Sequence, residues 1–177
     1  TMTLTPLLAK YVATPIIAAG GIMDGRGIAA ARMLGAVGVQ MGTAFLACPE
    51  SGAHPAHKAL LRQGSEIATT LSRAFTGRYG RVLRNRLTVE LQAHEAEWPG
   101  FPRQLFLTHD LQRAAANRGL TDFMALWAGQ GCHLCEDRPA AELMASWAGQ
   151  AAALLGESER QEPIRTADDL PDPAGLI

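Results

Sequence analysis

Two short apolar runs that both end at glycine, PIIAAGGI at 15–22 and VGVQMGTAF at 37–45, constrain the fold of this chain more than any other feature. Each is rich in small and branched residues and too short for a helix, the pattern of a strand buried in a parallel sheet. Between them, residues 27–36 place Ile28, Ala31 and Leu34 on one face and Arg32 elsewhere, which predicts a helix packed on that sheet. Asp24 stands where a helix cap is expected and Gly35 where the helix should stop. The order strand, loop, helix, strand is a βαβ unit. Gly20 and Gly42 lie 22 residues apart, which leaves room for one crossover helix and brings both strand ends to the same edge of the sheet. The expected fold class is α/β.

Beyond Pro49 the sequence predicts helices and loops and no strand. Helices are expected over 57–68, over 85–97 with Leu87, Leu91 and His94 along one side, from a Thr108 cap to Asn117, after Thr121, and from Pro139 to Leu155 with Gly156 as terminator. The chain thus divides into 1–50, carrying the glycine-ended loops, 51–156, a helical C-terminal region, and 157–177, an acidic, proline-containing mobile tail. WAGQ occurs at 127–130 and 147–150, but nothing else repeats between the copies, so no solenoid is implied.

The glycine-ended loops carry the first candidate chemistry. Two such loops on one sheet edge present backbone N–H groups to a common point and let an oxyanion approach closely. Thr43 adds a hydroxyl, and the helix that starts near Gly25 adds its positive end. Alternatively, Gly20 and Gly21 merely turn the chain while Gly42 relieves crowding.

Charge is unevenly distributed beneath a net of -1. Residues 1–50 hold 3 bases against 2 acids, 51–105 hold 8 against 4, and 106–177 hold 5 against 11. Arg73, Arg78, Arg81, Arg84 and Arg86 follow one another with no acid between them, a cluster suited to an anion or to a solvated loop. Phe75 and Tyr79 among them suggest base stacking, but a pI near 6.5 argues against nucleic acid. No stretch approaches the roughly 18 uninterrupted apolar residues of a spanning helix. No basic and apolar leader is present, so the expected setting is cytoplasmic with no membrane partner. Cys48, Cys132 and Cys135 are odd in number and read as reduced thiols.

The remaining candidates read as structural. His54 and His57 look like a solvated pair at a helix start, His94 falls on a helix, and His109 lies beside a cap. Cys132, His133 and Cys135 bring three ligand types together, but zinc takes about four ligands and no second pair completes the set, so no metal is expected.

The segment AAGGIMDGRGIAAARMLGAVGVQMGTAFLACPES resembles the part of the nitronate monooxygenases, also called nitropropane dioxygenases, that carries their two phosphate loops. The likeness is close over 15–51 and looser through AFTGRYGRVLRNR at 74–86 and ALWAGQ at 125–130. It implies a flavin mononucleotide (FMN) enzyme on a TIM (β/α)8 barrel, with Ala19, Gly20, Gly21, Gly42 and Thr43 at the family's phosphate-binding positions. Phosphate sites in such barrels are typically built by the loops after strands 7 and 8, so the chain reads as the C-terminal part of one. The family's first six strands, with its catalytic histidine, would precede Thr1; no residue here matches that histidine and the catalytic residue stays unknown. Open strand edges imply pairing with that N-terminal barrel segment or a homo-oligomer. The implied activity is oxidation of alkyl nitronates by O2. The alternatives are a flavin-type enoyl-acyl-carrier-protein reductase on the same phosphate loops and, from a different class, an inactive phosphate- or flavin-binding module.

Overall fold

The computed structural model describes residues 1–63 and 68–157. After an N-terminal helix α1 (Leu4–Tyr11) come β1 (Ile17–Ala19), α2 (Gly25–Met33) and β2 (Gly38–Gln40). Strands β1 and β2 pair in parallel with Ile17 opposite Gly38 and Ala19 opposite Gln40, so the expected βαβ unit is present. Both strands are shorter than their apolar runs. Gly20 and Gly21 take φ of +95° and +76°, which turns the chain out of the extended region. After Gln40 the backbone enters a 3-10 turn at Thr43–Phe45 instead of continuing the strand.

Helix α2 begins as its sequence demands. The Asp24 carboxylate accepts from the Gly27 N–H at 3.0 Å. Its inner face buries Ala29 and Ala31, and Ala18, Ile22, Ala31 and Ala36 form a small core between helix and sheet. Along β1 only Ala18 is buried, while Ile17 stays exposed, so this chain covers one face of the two-stranded sheet.

The last helix, α6 (Ala140–Leu155), returns from far along the chain to pack on α2. Trp147 meets Phe45 edge-on with ring centroids 5.3 Å apart, in a core with Met23, Ala44, Cys48 and Leu143. Glu50 caps α6 by accepting from the Ala140 N–H at 3.1 Å, and Gly156 ends it at φ +67°, as the sequence predicts. Glu157, assigned to the tail, instead pairs with Arg32 at 2.9 Å; the rest of the expected tail, 158–177, lies outside the described residues.

Residues 51–156 are not purely helical, which corrects the reading that no strand follows Pro49. β3 (Thr69–Ser72) and β4 (Gly80–Leu83) form an antiparallel hairpin with Thr70 opposite Val82 and Leu71 opposite Arg81. Threonine and valine suit a pleated surface, but two four-residue strands separated by arginines show no apolar run. The helices there also move. The first, α3 (Pro55–Leu61), starts before the expected 57–68 and gives way to a turn at 62–63, while 64–67 of that expectation lie outside the described residues; α4 (Arg86–Glu90) gives way to a 3-10 turn at Gln92–Glu97; α5 (Arg103–Asn117) starts ahead of Thr108. Thr108 is therefore no cap: it is buried mid-helix and its hydroxyl donates to the Phe75 carbonyl at 2.7 Å. In place of the helix expected after Thr121 there is a 3-10 turn at Thr121–Phe123, then chain that bonds to β4, and a second 3-10 turn at Cys132–Leu134. Two joined cores fill this region, one around Leu61, Leu83, Leu126 and Cys132, the other around Phe75, Val82 and Leu87. Among the described residues no helix is long and apolar enough to cross a membrane.

The contact between α2 and α6 turns on Gly25. A Cβ there would meet the Trp147 carbonyl oxygen at 2.6 Å and the Ala151 nitrogen at 3.0 Å, both backbone atoms. Gly25→Ala must push the helices apart and should cost about 1–3 kcal/mol, the usual range for overpacking. Gly149→Ala, on α6 with open space around it, should be neutral or stabilising by up to about 1 kcal/mol. Urea denaturation of the full-length protein measures both, and equal midpoints would show that α2 and α6 are not held this closely.

Candidate functional site

Parallel pairing of β1 with β2 brings Gly20, Gly21, Gly42 and Thr43 to one sheet edge, as the spacing predicts. Ala19, Gly20 and Gly21 are exposed there, and the Thr1 hydroxyl bonds to the Ala19 and Gly20 carbonyls, each at 2.8 Å. Gly42 is the most informative position. Its φ of -109° is open to any residue, and a Cβ added to it would meet nothing within 4 Å. Neither backbone geometry nor packing within this chain requires a glycine at 42, as is also true of Gly52, Gly100 and Gly149, but of these four only Gly42 lines the cavity with Thr43.

Thr43 is the joint of the site. Its Oγ1 accepts from the Gly129 N–H at 2.9 Å, and its carbonyl accepts from the Cys135 thiol at 3.0 Å. A Cβ on Gly129 would lie 3.2 Å from the same hydroxyl, so the small residue lets the loop close onto Thr43. Because the Thr43 oxygen is an acceptor in this bond, its own proton is left to donate.

The first WAGQ copy thus has a definite place. The Ala128 N–H donates to the Arg81 carbonyl at 3.1 Å, extending the hairpin by one more segment. Trp127 lies over Gly80, which must lack a side chain to admit the indole, and meets Phe75 edge-on. The second copy serves differently: Trp147 is core, and Gln150 Oε1 accepts from the Gly25 N–H at 3.3 Å. Gly42, Thr43, Leu46, Arg81, Trp127, Ala128 and Gly129 together line a cavity of about 340 Å³. Sequence reasoning named the two loop residues but missed that Arg81 and Gly129 join them, because the hairpin that carries Arg81 was not foreseen.

The start of α2 contributes less than the sequence suggested. Its Gly25 and Gly27 N–H groups are taken by Gln150 and Asp24. Burial pushes the Asp24 carboxyl up, but the Gly27 N–H and the Arg26 guanidinium outweigh it and hold the group below the ordinary range. A carboxylate therefore already sits on the helix end. A larger cavity of about 410 Å³ between α2, β2 and α6 has a largely apolar lining, and its Arg32 and Glu157 neutralise each other.

The other candidates separate. Cys132 is buried and His133 exposed, while Cys135 spends its proton on Thr43; all three cysteines are free thiols. Burial, with Cys132 and Cys48 nearby, pushes the Cys135 thiol up to about 12, which keeps it a neutral donor. His94 and His109 are exposed beside Glu97 and Asp110. His54 accepts from the Ala56 N–H and caps α3. His57 is not half of a solvated pair: it is 6% exposed, and its Nε2 has no partner among the described residues.

The class is an α/β protein with a glycine-walled, threonine-lined cavity at the carboxyl edge of a parallel βαβ unit, the place where α/β proteins ordinarily bind ligands. The profile of the nitronate monooxygenase family matches residues 1–148, and the chain belongs to that family of oxidoreductases. It is 47% identical over 143 residues to the nitronate monooxygenase of Pseudomonas aeruginosa, covering 80% of this chain and 41% of that protein. Its structure resembles the nitroalkane oxidase of Streptomyces ansochromogenes, with a TM-score of 0.79 and 42% identity over 86% of this chain and 43% of that one. FabK from Thermotoga maritima follows at 0.74 and 33%, covering 89% of this chain and 50% of its own. The chain spans about two fifths of the length of the curated relatives it matches.

His57 makes acid stability testable. Burial, aided by His54, lowers its pKa from the ordinary 6.5. Below pH 6.5 the unfolded chain takes up a proton that the folded chain refuses, so stability falls with pH until the lowered folded pKa is passed. His57→Gln should flatten this part of the stability profile, measured by urea midpoints from pH 7 downward. An unchanged profile would place the acid sensitivity elsewhere.

Proposed function

We propose that this chain is the flavin-phosphate portion of an FMN-dependent nitronate monooxygenase, which oxidises alkyl nitronates with O2. Gly42 carries the reading: a Cβ there would meet nothing within 4 Å, so its backbone is open to close approach, and it lines one cavity with Thr43. Gly20, Gly21, Gly42 and Thr43 would hold the phosphate, with Ala19 ending the strand before the first loop. A bound flavin supplies the redox chemistry between nitronate and dioxygen. The chain's own residues supply close backbone approach at Gly21 and Gly42, a donated proton at Thr43 Oγ1, and an indole wall at Trp127.

In this reading β1 and β2 are the seventh and eighth strands of a (β/α)8 barrel, and α2 and α6 are the helices that follow them. Residues 41–139 are then a long excursion between the eighth strand and its helix. Packing of α6 beside α2 supports that arrangement, as does the exposed far face of the sheet, which further strands would cover. A flavin-type enoyl-acyl-carrier-protein reductase is the second reading, favoured by the FabK likeness. The higher identities to the nitronate monooxygenase and nitroalkane oxidase favour the first.

Full-length protein purified with its flavin should consume oxygen when propyl nitronate is added. NADH oxidation that requires an enoyl thioester, without that oxygen uptake, would overturn the reading in favour of the reductase. Gly42→Leu should eject the flavin, and Thr43→Val should weaken its binding by about 1–3 kcal/mol, the range for a hydrogen bond to a charged group. Fluorescence titration reads both, with circular dichroism to confirm folding. Retained affinity in Gly42→Leu would place the phosphate elsewhere. Thr3→Val serves as the neutral control, since Thr3 is exposed and makes no side-chain cap.

A further inference from the structure

The first glycine loop is gripped from one side by a single hydroxyl. Thr1 Oγ1 lies 2.8 Å from the Ala19 carbonyl oxygen and 2.8 Å from that of Gly20, so its one proton is shared between two consecutive peptide groups. Among the described residues no other side chain bonds to the backbone of 19–21. Thr1 is itself tied down. Its carbonyl accepts from the N–H of buried Thr5 at 3.0 Å, and further along α1 the Ala9 methyl lies 2.8 Å from where a Cβ on Gly35 would stand. The hydroxyl is thus held by the first turn of α1, which seats against the end of α2, and not by the loop it serves.

A trans peptide is planar, and its carbonyl and N–H point in opposite directions. The Ala19 carbonyl shares its plane with the Gly20 N–H, and the Gly20 carbonyl with the Gly21 N–H. Two carbonyls that converge on Thr1 Oγ1 therefore turn the N–H groups of Gly20 and Gly21 together to the opposite side of the loop. Neither N–H meets an acceptor among the described residues. The φ values of +95° and +76° permit this arrangement without selecting it, because glycine leaves that region as readily as it enters. The hydroxyl selects it. Successive N–H groups on one side of a loop make a concavity for an anion, and a hydrogen bond to each carbonyl strengthens the N–H opposed to it.

We infer that Thr1 is a positioning residue for the anion site: its hydroxyl holds the 19–21 peptides so that Gly20 and Gly21 present their N–H groups to the ligand, which Thr1 does not itself touch. This rests on the flavin-phosphate reading above and adds a residue to it. The consequence is discrimination. Thr1 favours FMN over riboflavin, which lacks the phosphate, and has little effect on binding of the ring system.

The test titrates full-length apoprotein with FMN and with riboflavin by fluorescence, for the parent, Thr1→Val, Thr1→Ala, Thr1→Ser and Gly42→Leu. The inference expects Thr1→Val and Thr1→Ala to weaken FMN about 3- to 10-fold and riboflavin by less than about twofold, the range for loss of one neutral hydrogen bond. Thr1→Ser, which keeps the hydroxyl, should stay within about twofold of the parent for both ligands. Riboflavin binding doubles as a check on folding. Should Thr1→Val lose riboflavin as well, Thr1→Ala decides: lowered FMN affinity with parental riboflavin affinity supports the inference, and equal losses of both overturn it. A serine variant as weak for FMN as the alanine variant also overturns it, since the hydroxyl would then not be what acts. Parental FMN affinity in Thr1→Val and Thr1→Ala while Gly42→Leu ejects FMN overturns the role of Thr1 alone. A parent that binds FMN and riboflavin equally well overturns the phosphate reading and the inference with it.

Discussion

The site depends on two hydrogen bonds at one residue. Thr43 stands where the parallel sheet ends, and its hydroxyl and carbonyl take up donors from Gly129 and Cys135, 86 and 92 residues further along. Those bonds fasten the hairpin region to the glycine loops. Bonds partly shielded from water are stronger electrostatically, and leaving such groups unpaired costs about 1–3 kcal/mol each. The Cys135 thiol suits this position because burial keeps it neutral across the working pH range. A hydroxyl that accepts on one side and donates on the other is thereby oriented toward the cavity before any ligand arrives, and preorganisation of that kind lowers the ordering cost of binding.

The start of α2 is already occupied by the chain's own carboxylate. A helix N-terminus ordinarily attracts an oxyanion, but this one already carries the Asp24 carboxylate, with Arg26 paired to it at 2.6 Å. Negative charge on the helix end offsets the macrodipole just where a phosphate would seek it. The hairpin from the segment between β2 and α6 closes the other side of the cavity, with Arg81 and the neighbouring Trp127 and Ala128 in its lining.

Much of the first half was legible because its signals are local. The Asp24 cap, the crossover helix and the two glycine-ended strands depend on neighbours within a few residues, and the parallel pairing follows from the crossover length. The hairpin was not legible. Thr69–Ser72 and Gly80–Leu83 are stabilised by pairing with each other and by Trp127 and Leu126 from a distant segment, none of which leaves a mark in an eleven-residue window. Thr108 was misread for a related reason: a threonine before a helical run resembles a cap, and only the fold shows that its hydroxyl satisfies the Phe75 carbonyl inside the core. His57 likewise looked solvated beside prolines until α3 turned it inward.

The glycines separate the roles that sequence alone could not. Gly25, Gly80 and Gly129 sit where a Cβ would strike Trp147, Trp127 or Thr43, so packing within this chain requires them. Gly20 and Gly21 are set by positive φ. Gly42, like Gly52, Gly100 and Gly149, has an unrestricted φ and empty space where a Cβ would stand, so neither conformation nor packing within the chain holds it. A position free of both internal constraints would drift to alanine at no cost to the fold, and alanine would even reduce the entropy lost on folding by about 0.4–1 kcal/mol. Glycine at 42 is thus the less stable choice for the chain by itself, and what sets it apart from Gly52, Gly100 and Gly149 is its place in the wall of a cavity with Thr43.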